Sequence, residues 1–245
     1  MNTNLETGEE NPNLIYNETV AFCIPTTSNG RDWNTFDDSY LNQILLPSLS
    51  ISIHKVILYI GYDKNDKVFG NYKNRPKTYK GIKLNWYSFN DNYKGNPCGI
   101  WNELIRMSIM DKIEYYMVLG DDISLDQNKL WLDVFLKKLK QNNNIGYSAG
   151  WSNNNEIPTQ FLIHKRHIDI FGWMFPPQIK NYYCDNFIAE LYGDKYGNWL
   201  KEYRHLNIGG TPRYTPNDDR NLCNILVRKN KKLLKSYLDK NKLRK

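Results

Sequence analysis

Apolar residues in the first half of the chain come in short, nearly continuous runs, most of them ending on a polar or acidic residue. TVAFCIP (19–25), KVILYIGYD (55–63), IKLNWYSF (82–89) and the run closing on YYMVLGDD (115–122) are too short for helices and rich in β-branched and aromatic residues. They predict strands buried on both faces. SYLNQILLPSL (39–49) and PCGIWNELIRMSIMDK (97–112) instead space their apolar residues at helical intervals, the second opened by Pro97, where a missing N–H costs nothing. The order βαββαβ predicts an α/β fold, a mostly parallel sheet flanked by helices, with any ligand at the carboxyl ends of the strands. The second half is less regular. NKLWLDVFLKKLK (128–140) and YYCDNFIAELYG (182–193) read as helices and IGYSAGW and TQFLIHK as strands, while Trp151, Trp173, Phe175, Pro176 and Pro177 fall in loops.

Composition narrows the class. The chain has 245 residues, 40% of them hydrophobic, enough for one sizeable domain. Its net charge of +7 is unevenly spread: residues 228–245 hold nine Lys or Arg against one Asp, so the rest of the chain sums to −1. That body lacks the broad basic channel of a nucleic-acid enzyme, and no nucleic-acid partner is expected. The basic tail reads as a solvated helix face or as a weak contact with an anionic surface. No window approaches the ~18 apolar residues of a membrane span, and the N-terminus lacks the basic and apolar regions of a signal peptide. Cys23, Cys98, Cys184 and Cys223 show no paired spacing, which argues for a reducing, cytoplasmic setting and against a disulfide frame or zinc site.

The acids at the strand ends carry the chemistry. Asp121 and Asp122 follow an apolar strand side by side, and burying such a pair without a positive partner is costly, so a divalent metal is the natural counter-charge. The first strand leads into Pro25, Thr26, Thr27, Ser28, Asn29, Gly30 and Arg31, a polar turn able to hold a nucleotide, and the second ends on Asp63. Taken singly, each is an ordinary turn or loop cap; gathered at one sheet edge they suggest a site. Two enzyme classes carry an acid pair after an apolar strand: RNA-dependent polymerases and metal-dependent sugar-nucleotide glycosyltransferases. The chain is too small, and its body too nearly neutral, for the first.

The succession of the PTTS turn, the strand ending in Asp63, the helix carrying Trp101-Asn102-Glu103-Leu104, YYMVLGDD, and TQFLIHKRHIDIFGWMFPPQIKNYYCDNFIAELYG resembles a glycosyltransferase of the GT-A fold, of the kind found in large DNA viruses and some protists. The resemblance covers about residues 19–215. It implies a nucleotide-binding half (19–125) and an acceptor-binding half (126–215) within one domain (19–227), preceded by a disordered or extended N-terminus (1–18) and followed by a basic helix (228–245). It further implies Mn²⁺ or Mg²⁺ on Asp122 and His205, and donor contacts from Pro25, Thr26, Thr27, Ser28, Arg31, Asp63, Asn102, Asp121 and Arg213. Asp185 is implied as the base of an inverting transfer, and Trp151, Thr159 and Trp173 as acceptor contacts. The usual DxD is altered, because Gly120 stands two residues before Asp122. The implied partners are a nucleoside diphosphate sugar, a UDP-sugar first, and a glycan or glycoprotein acceptor; in a virus the setting would be the host cytoplasm. His164 and His167 read as structural. A sugar nucleotidyltransferase and a non-enzymatic carbohydrate-binding module are the alternatives; the first lacks its Gly-rich, Arg-containing loop here, and the second leaves the acid pair unexplained.

Overall fold

Period-two burial sorts the strand residues onto two core layers. The computed structural model describes residues 18–49, 55–209, 215–216 and 218–243; the expected N-terminal segment, but for Glu18, lies outside them. In chain order the elements are β1 (Thr19–Thr26), a π-turn Leu41–Leu45 running into α1 (Leu46–Ser48), β2 (Lys55–Asp63), β3 (Thr78–Tyr79), β4 (Ile82–Phe89), α2 (Pro97–Met110), β5 (Tyr115–Val118) and β6 (Ile123–Ser124). There follow α3 (Trp131–Gln141), β7 (Tyr147–Trp151), β8 (Phe161–His164), α4 (Arg166–Phe171), α5 (Cys184–Tyr196), β9 (Gly197–Arg204), β10 (Leu206–Asn207) and α6 (Arg220–Lys240). Ala21 and Cys23 of β1 face one layer with α2, α5 and α6, whereas Val20, Phe22 and Ile24 face the other with α1 and α3. A strand covered on both sides has no polar face, which is why the runs read as continuous.

The eight-stranded sheet has the order β3-β4-β2-β1-β5-β8-β7-β9. β4, β2, β1 and β5 are parallel, as are β7 and β9, while β8 runs antiparallel to both β5 and β7. From β1 the chain moves outward to β2 and β4, then returns through α2 to β5 on the other side of β1. The β1–β5 junction is therefore the topological switch point, where a crevice opens at the carboxyl ends.

β2 and β4 occupy the spans that the apolar pattern predicts. The segment expected as one helix over 39–49 begins as a π-turn, because Pro47 has no N–H for the carbonyl four residues back and the chain widens ahead of it. β5 stops at Val118, so both acids lie beyond the ladder in a turn. β9 has no counterpart in the sequence reading. It adds beside β7, where Gly146 (φ +98°) lets the backbones meet; a Cβ there would overlap the Tyr196 carbonyl. The C-terminal helix begins at Arg220, ahead of the expected 228, capped by Asp219, whose carboxylate accepts from the Leu222 N–H at 2.8 Å. It buries Cys223, Leu226, Val227, Leu234 and Leu238 in the core.

His167 is a satisfied core residue: its ring nitrogens meet the Tyr192 hydroxyl at 2.7 Å and the Met174 carbonyl at 3.0 Å. The Nδ1 of His164 accepts from the Arg166 N–H at 3.0 Å. Burial lowers both pKa values to about 4. Unfolding exposes imidazoles that titrate near 6.5, so the unfolded chain binds more protons between pH 6.5 and 4, and their contribution to stability is lost as pH falls through that window. Urea denaturation across a pH series is expected to show that decline; a flat profile below pH 6.5 would contradict it.

Candidate active site

The carboxyl ends of β1, β2 and β5 converge at the switch point. Asp121 is 1% exposed, and the Thr26 hydroxyl donates to its carboxylate at 2.6 Å across the β1–β5 junction. Pro25 lies in β1 beyond the last residue paired with β5, so its missing N–H interrupts no bond on that side. The Trp101 indole N–H rises from α2 to the carbonyls of Cys23 (3.0 Å) and Leu119 (3.2 Å), pinning the helix beneath both strand ends.

The turn after β1 is tied to the end of β2. The Thr27 hydroxyl donates to Asp63 at 2.7 Å, with a longer contact to Asp66 at 3.1 Å, and the Asn29 amide donates to Asp63 at 2.9 Å. Asp66, 3% exposed, also accepts from the Ser28 N–H (2.6 Å), the Ser28 hydroxyl (2.7 Å) and the N–H groups of Val68 (2.9 Å) and Phe69 (2.8 Å). It is the keystone of the turn, and sequence reasoning passed it over. The signal available was slight: an Asp two residues ahead of an apolar pair, the usual setting of a side chain that caps its own following amides.

Asp122 stands half-buried in the turn after β5. Its carbonyl accepts from the Ile208 N–H at 3.1 Å, and antiparallel pairing of β6 with β10 brings the chain back over it. A Cβ on Gly209 would overlap the Asp122 carboxylate, so only glycine allows that approach. Arg31 donates to the Gly209 carbonyl at 3.2 Å and lies over the Tyr40 ring at 4.8 Å. The β1 turn, Asp122 and the β10 end are thus brought together. Arg213 lies outside the described residues.

Two expected ligand contacts have other surroundings. The Asn102 carbonyl accepts from the Met174 and Phe175 N–H groups (2.8 and 2.9 Å) and its amide donates to the Phe175 carbonyl (2.9 Å). This clamps the aromatic loop to α2 and leaves Asn102 a positioning residue for that loop. His205 was expected on the metal, but its ring packs against Trp131 (4.6 Å) and Phe135 (5.4 Å) of α3, and both ring nitrogens are buried without a hydrogen-bond partner. Burial lowers its pKa to about 4. The backbone imposes this direction: the His205 N–H donates to the Trp151 carbonyl at 2.7 Å, at the end of β7. Among the described residues, no three His, Cys, Asp or Glu side chains converge as a metal cage.

Asp185 lies in the first turn of α5, which starts after Tyr183 in a left-handed conformation. Burial raises its carboxyl pKa, opposed by the Asn186 N–H at 3.1 Å. Trp173 is half-buried and packs against the core beside α5, meeting Phe171 (5.7 Å, stacked), Phe187 (5.8 Å) and His167 (6.3 Å). The Trp151 indole donates to Asn155 at 2.9 Å and its ring carries the Arg204 guanidinium at 5.1 Å. Thr159 donates to the Ser152 hydroxyl at 2.6 Å.

No family model and no curated protein sequence matches the chain. Solved structures do. A structure of S. aureus TarS 1–349 in complex with UDP-GlcNAc matches with a TM-score of 0.55 at 14% identity, over 87% of this chain and 66% of that one. The same protein in complex with UDP matches with a TM-score of 0.50 at 13% identity, over 77% and 60%. This chain therefore spans less than two-thirds of those structures, and at such identity the likeness is one of fold. Together with the sheet topology, it places the chain in the α/β, GT-A-like class anticipated from the sequence.

Asp66→Asn turns an amide donor toward groups that are themselves mostly donors. It is expected to destabilise the protein by about 1–3 kcal/mol. Urea denaturation at neutral pH measures this; unchanged stability would deny Asp66 its place in the turn.

Proposed function

We propose that this protein is a glycosyltransferase that moves a sugar from a nucleoside diphosphate sugar, UDP-linked first among them, to a hydroxyl of a glycan or glycoprotein acceptor. The observation that carries the reading is the convergence of the Thr26–Asn29 turn, Asp63, Asp121 and Asp122 at the switch point. The GT-A-like fold shared with a protein solved with UDP-GlcNAc supports it.

On this reading Asp63 and the Thr27–Ser28 turn grip the nucleoside. Its carboxylate, already fixed through one oxygen by Thr27 and Asn29, is a rigid acceptor for an imide or ribose donor. Asp121, buried and held by Thr26, keeps the turn in shape behind Asp122. The donor set suits a hard divalent cation, Mn²⁺ or Mg²⁺: Asp122 offers a carboxylate at the carboxyl end of β5, approached closely by the backbone of Gly209, and the diphosphate brings further oxygens. Such an ion, when bound, neutralises charge on the departing diphosphate. His205 is left out of this ligand set.

Asp185 takes the proton. The acceptor oxygen bonds to the anomeric carbon, the bond from that carbon to the phosphate oxygen breaks with its electron pair leaving on the diphosphate, and the acceptor proton passes to an Asp185 oxygen, with inversion. A carboxylate whose pKa is raised by burial is a better base than a solvated one. Because the folded pKa is raised, ionisation costs stability as pH climbs through it. Activity should rise over the same interval.

Incubating the protein with a panel of sugar nucleotides and Mn²⁺ tests the class: release of nucleoside diphosphate supports it, pyrophosphate would indicate nucleotidyl transfer, and no turnover a binding module. Asp122→Asn is expected to abolish the Mn²⁺-dependent part of UDP affinity measured by calorimetry while near-ultraviolet dichroism is unchanged; an undiminished increment removes Asp122 from the metal site. Asp185→Asn keeps the size of the side chain, so stability at neutral pH should hold or rise while transfer falls by roughly 10²- to 10⁴-fold. Near-normal transfer, or a product with the donor's anomeric configuration, would take Asp185 out of the chemistry.

A further inference from the structure

The charge on α6 plays no part in the site described above. Along one side the helix buries Cys223, Leu226, Val227, Asn230, Leu234 and Leu238. Along the other it exposes Arg228, Lys229, Lys231, Lys232, Lys235 and Lys240, none of them paired with an acid among the described residues. Residues 228, 231, 232 and 235 are neighbours at helical spacing, so like charges crowd one another, and an anionic counter-surface would relieve the crowding. Two large apolar side chains stand on the same outer side, Ile225 at 60% and Leu233 at 46% exposure. Between α5 and α6 runs an open groove of about 280 Å³ lined by Lys195, Tyr196, Lys231, Leu234, Lys235 and Leu238: ammonium groups at the rim of a largely apolar floor.

We propose that this face of α6, with its groove, docks the protein on an anionic phospholipid bilayer. The lysines meet headgroup phosphates, Ile225 and Leu233 enter the interfacial layer, and the helix lies in the plane of the surface. It does not cross: no described helix is long and apolar enough to span a membrane. The large side chains exposed among the cations, Ile225 and Leu233, are aliphatic, and the Tyr196 ring in the groove is buried, which favours lipid over single-stranded nucleic acid, a ligand that binds through stacking on exposed aromatic rings. The near-neutral remainder of the chain offers no basic channel for a duplex.

Co-sedimentation of the full chain with phosphatidylcholine vesicles, with and without phosphatidylglycerol, tests the proposal. Binding is expected only to the anionic vesicles, weakening as salt is raised. Each cation near such a surface is worth about fivefold in partitioning, so Lys232→Gln with Lys235→Gln should lower it about 25-fold. Lys232→Arg with Lys235→Arg should retain it, which separates charge from a folding defect. Equal binding to both vesicles, binding to neither, an unaffected glutamine variant, or tighter binding to an RNA oligonucleotide than to anionic vesicles at the same salt would each overturn it. No sugar nucleotide enters the assay, so its outcome is independent of the proposed transferase activity.

Discussion

A carboxylate with 1% of its surface exposed must be answered by donors, and Asp121 sets that requirement at the end of β5. The Thr26 hydroxyl meets it from the end of β1, which demands that two strands 95 residues apart in sequence lie side by side with their carboxyl ends level. α2 must then cross so that Trp101 reaches the Cys23 and Leu119 carbonyls exposed where the ladder stops. The crevice at the switch point, and the stance of Asp122 at its lip, follow from those bonds.

The switch point and the α4–α5 side of the domain are held by different physics. On the side of β1 and β2, charge-assisted bonds to Asp63 and Asp66 fix a short polar turn, giving a rigid and directional surface. On the side of α4 and α5, packing dominates: Phe171 and Trp173 stack on each other and meet His167, Phe187 packs on Trp173, and the Asn102 side chain secures the backbone of the loop between them. Asp185 opens α5 at the margin of that apolar mass, and desolvation raises its pKa there. A carboxylate in the polar half is built to accept hydrogen bonds; one in the apolar half is suited to hold a proton.

α6 shows how one helix serves two ends. Its apolar stripe completes the core beneath α5, so it is a structural element of the domain, while its outer face concentrates the positive charge of the chain.

What the sequence by itself determined was everything that depends on local periodicity. β2 and β4 fall on the predicted residues and α2, α3 and α5 within a turn of theirs, α6 starts eight residues ahead of its expected bound, and the continuous apolar runs already implied a sheet covered on both faces. The Asp63 and Asp121–Asp122 positions were legible too, because strand ends in a parallel sheet share one edge. The tertiary structure alone decided what depends on partners far apart in the chain. Asp66 matters through Ser28, 38 residues away, and Asn102 through Phe175, 73 away. β9 is an edge strand that buries only part of each side chain, so it leaves no apolar run to find. His205 stands immediately before β10, the strand that returns the chain over Asp122, a candidate ligand by position; the hydrogen bond of its N–H to Trp151 and the packing of its ring among the α3 aromatics set another direction, and no spacing in the sequence encodes that packing.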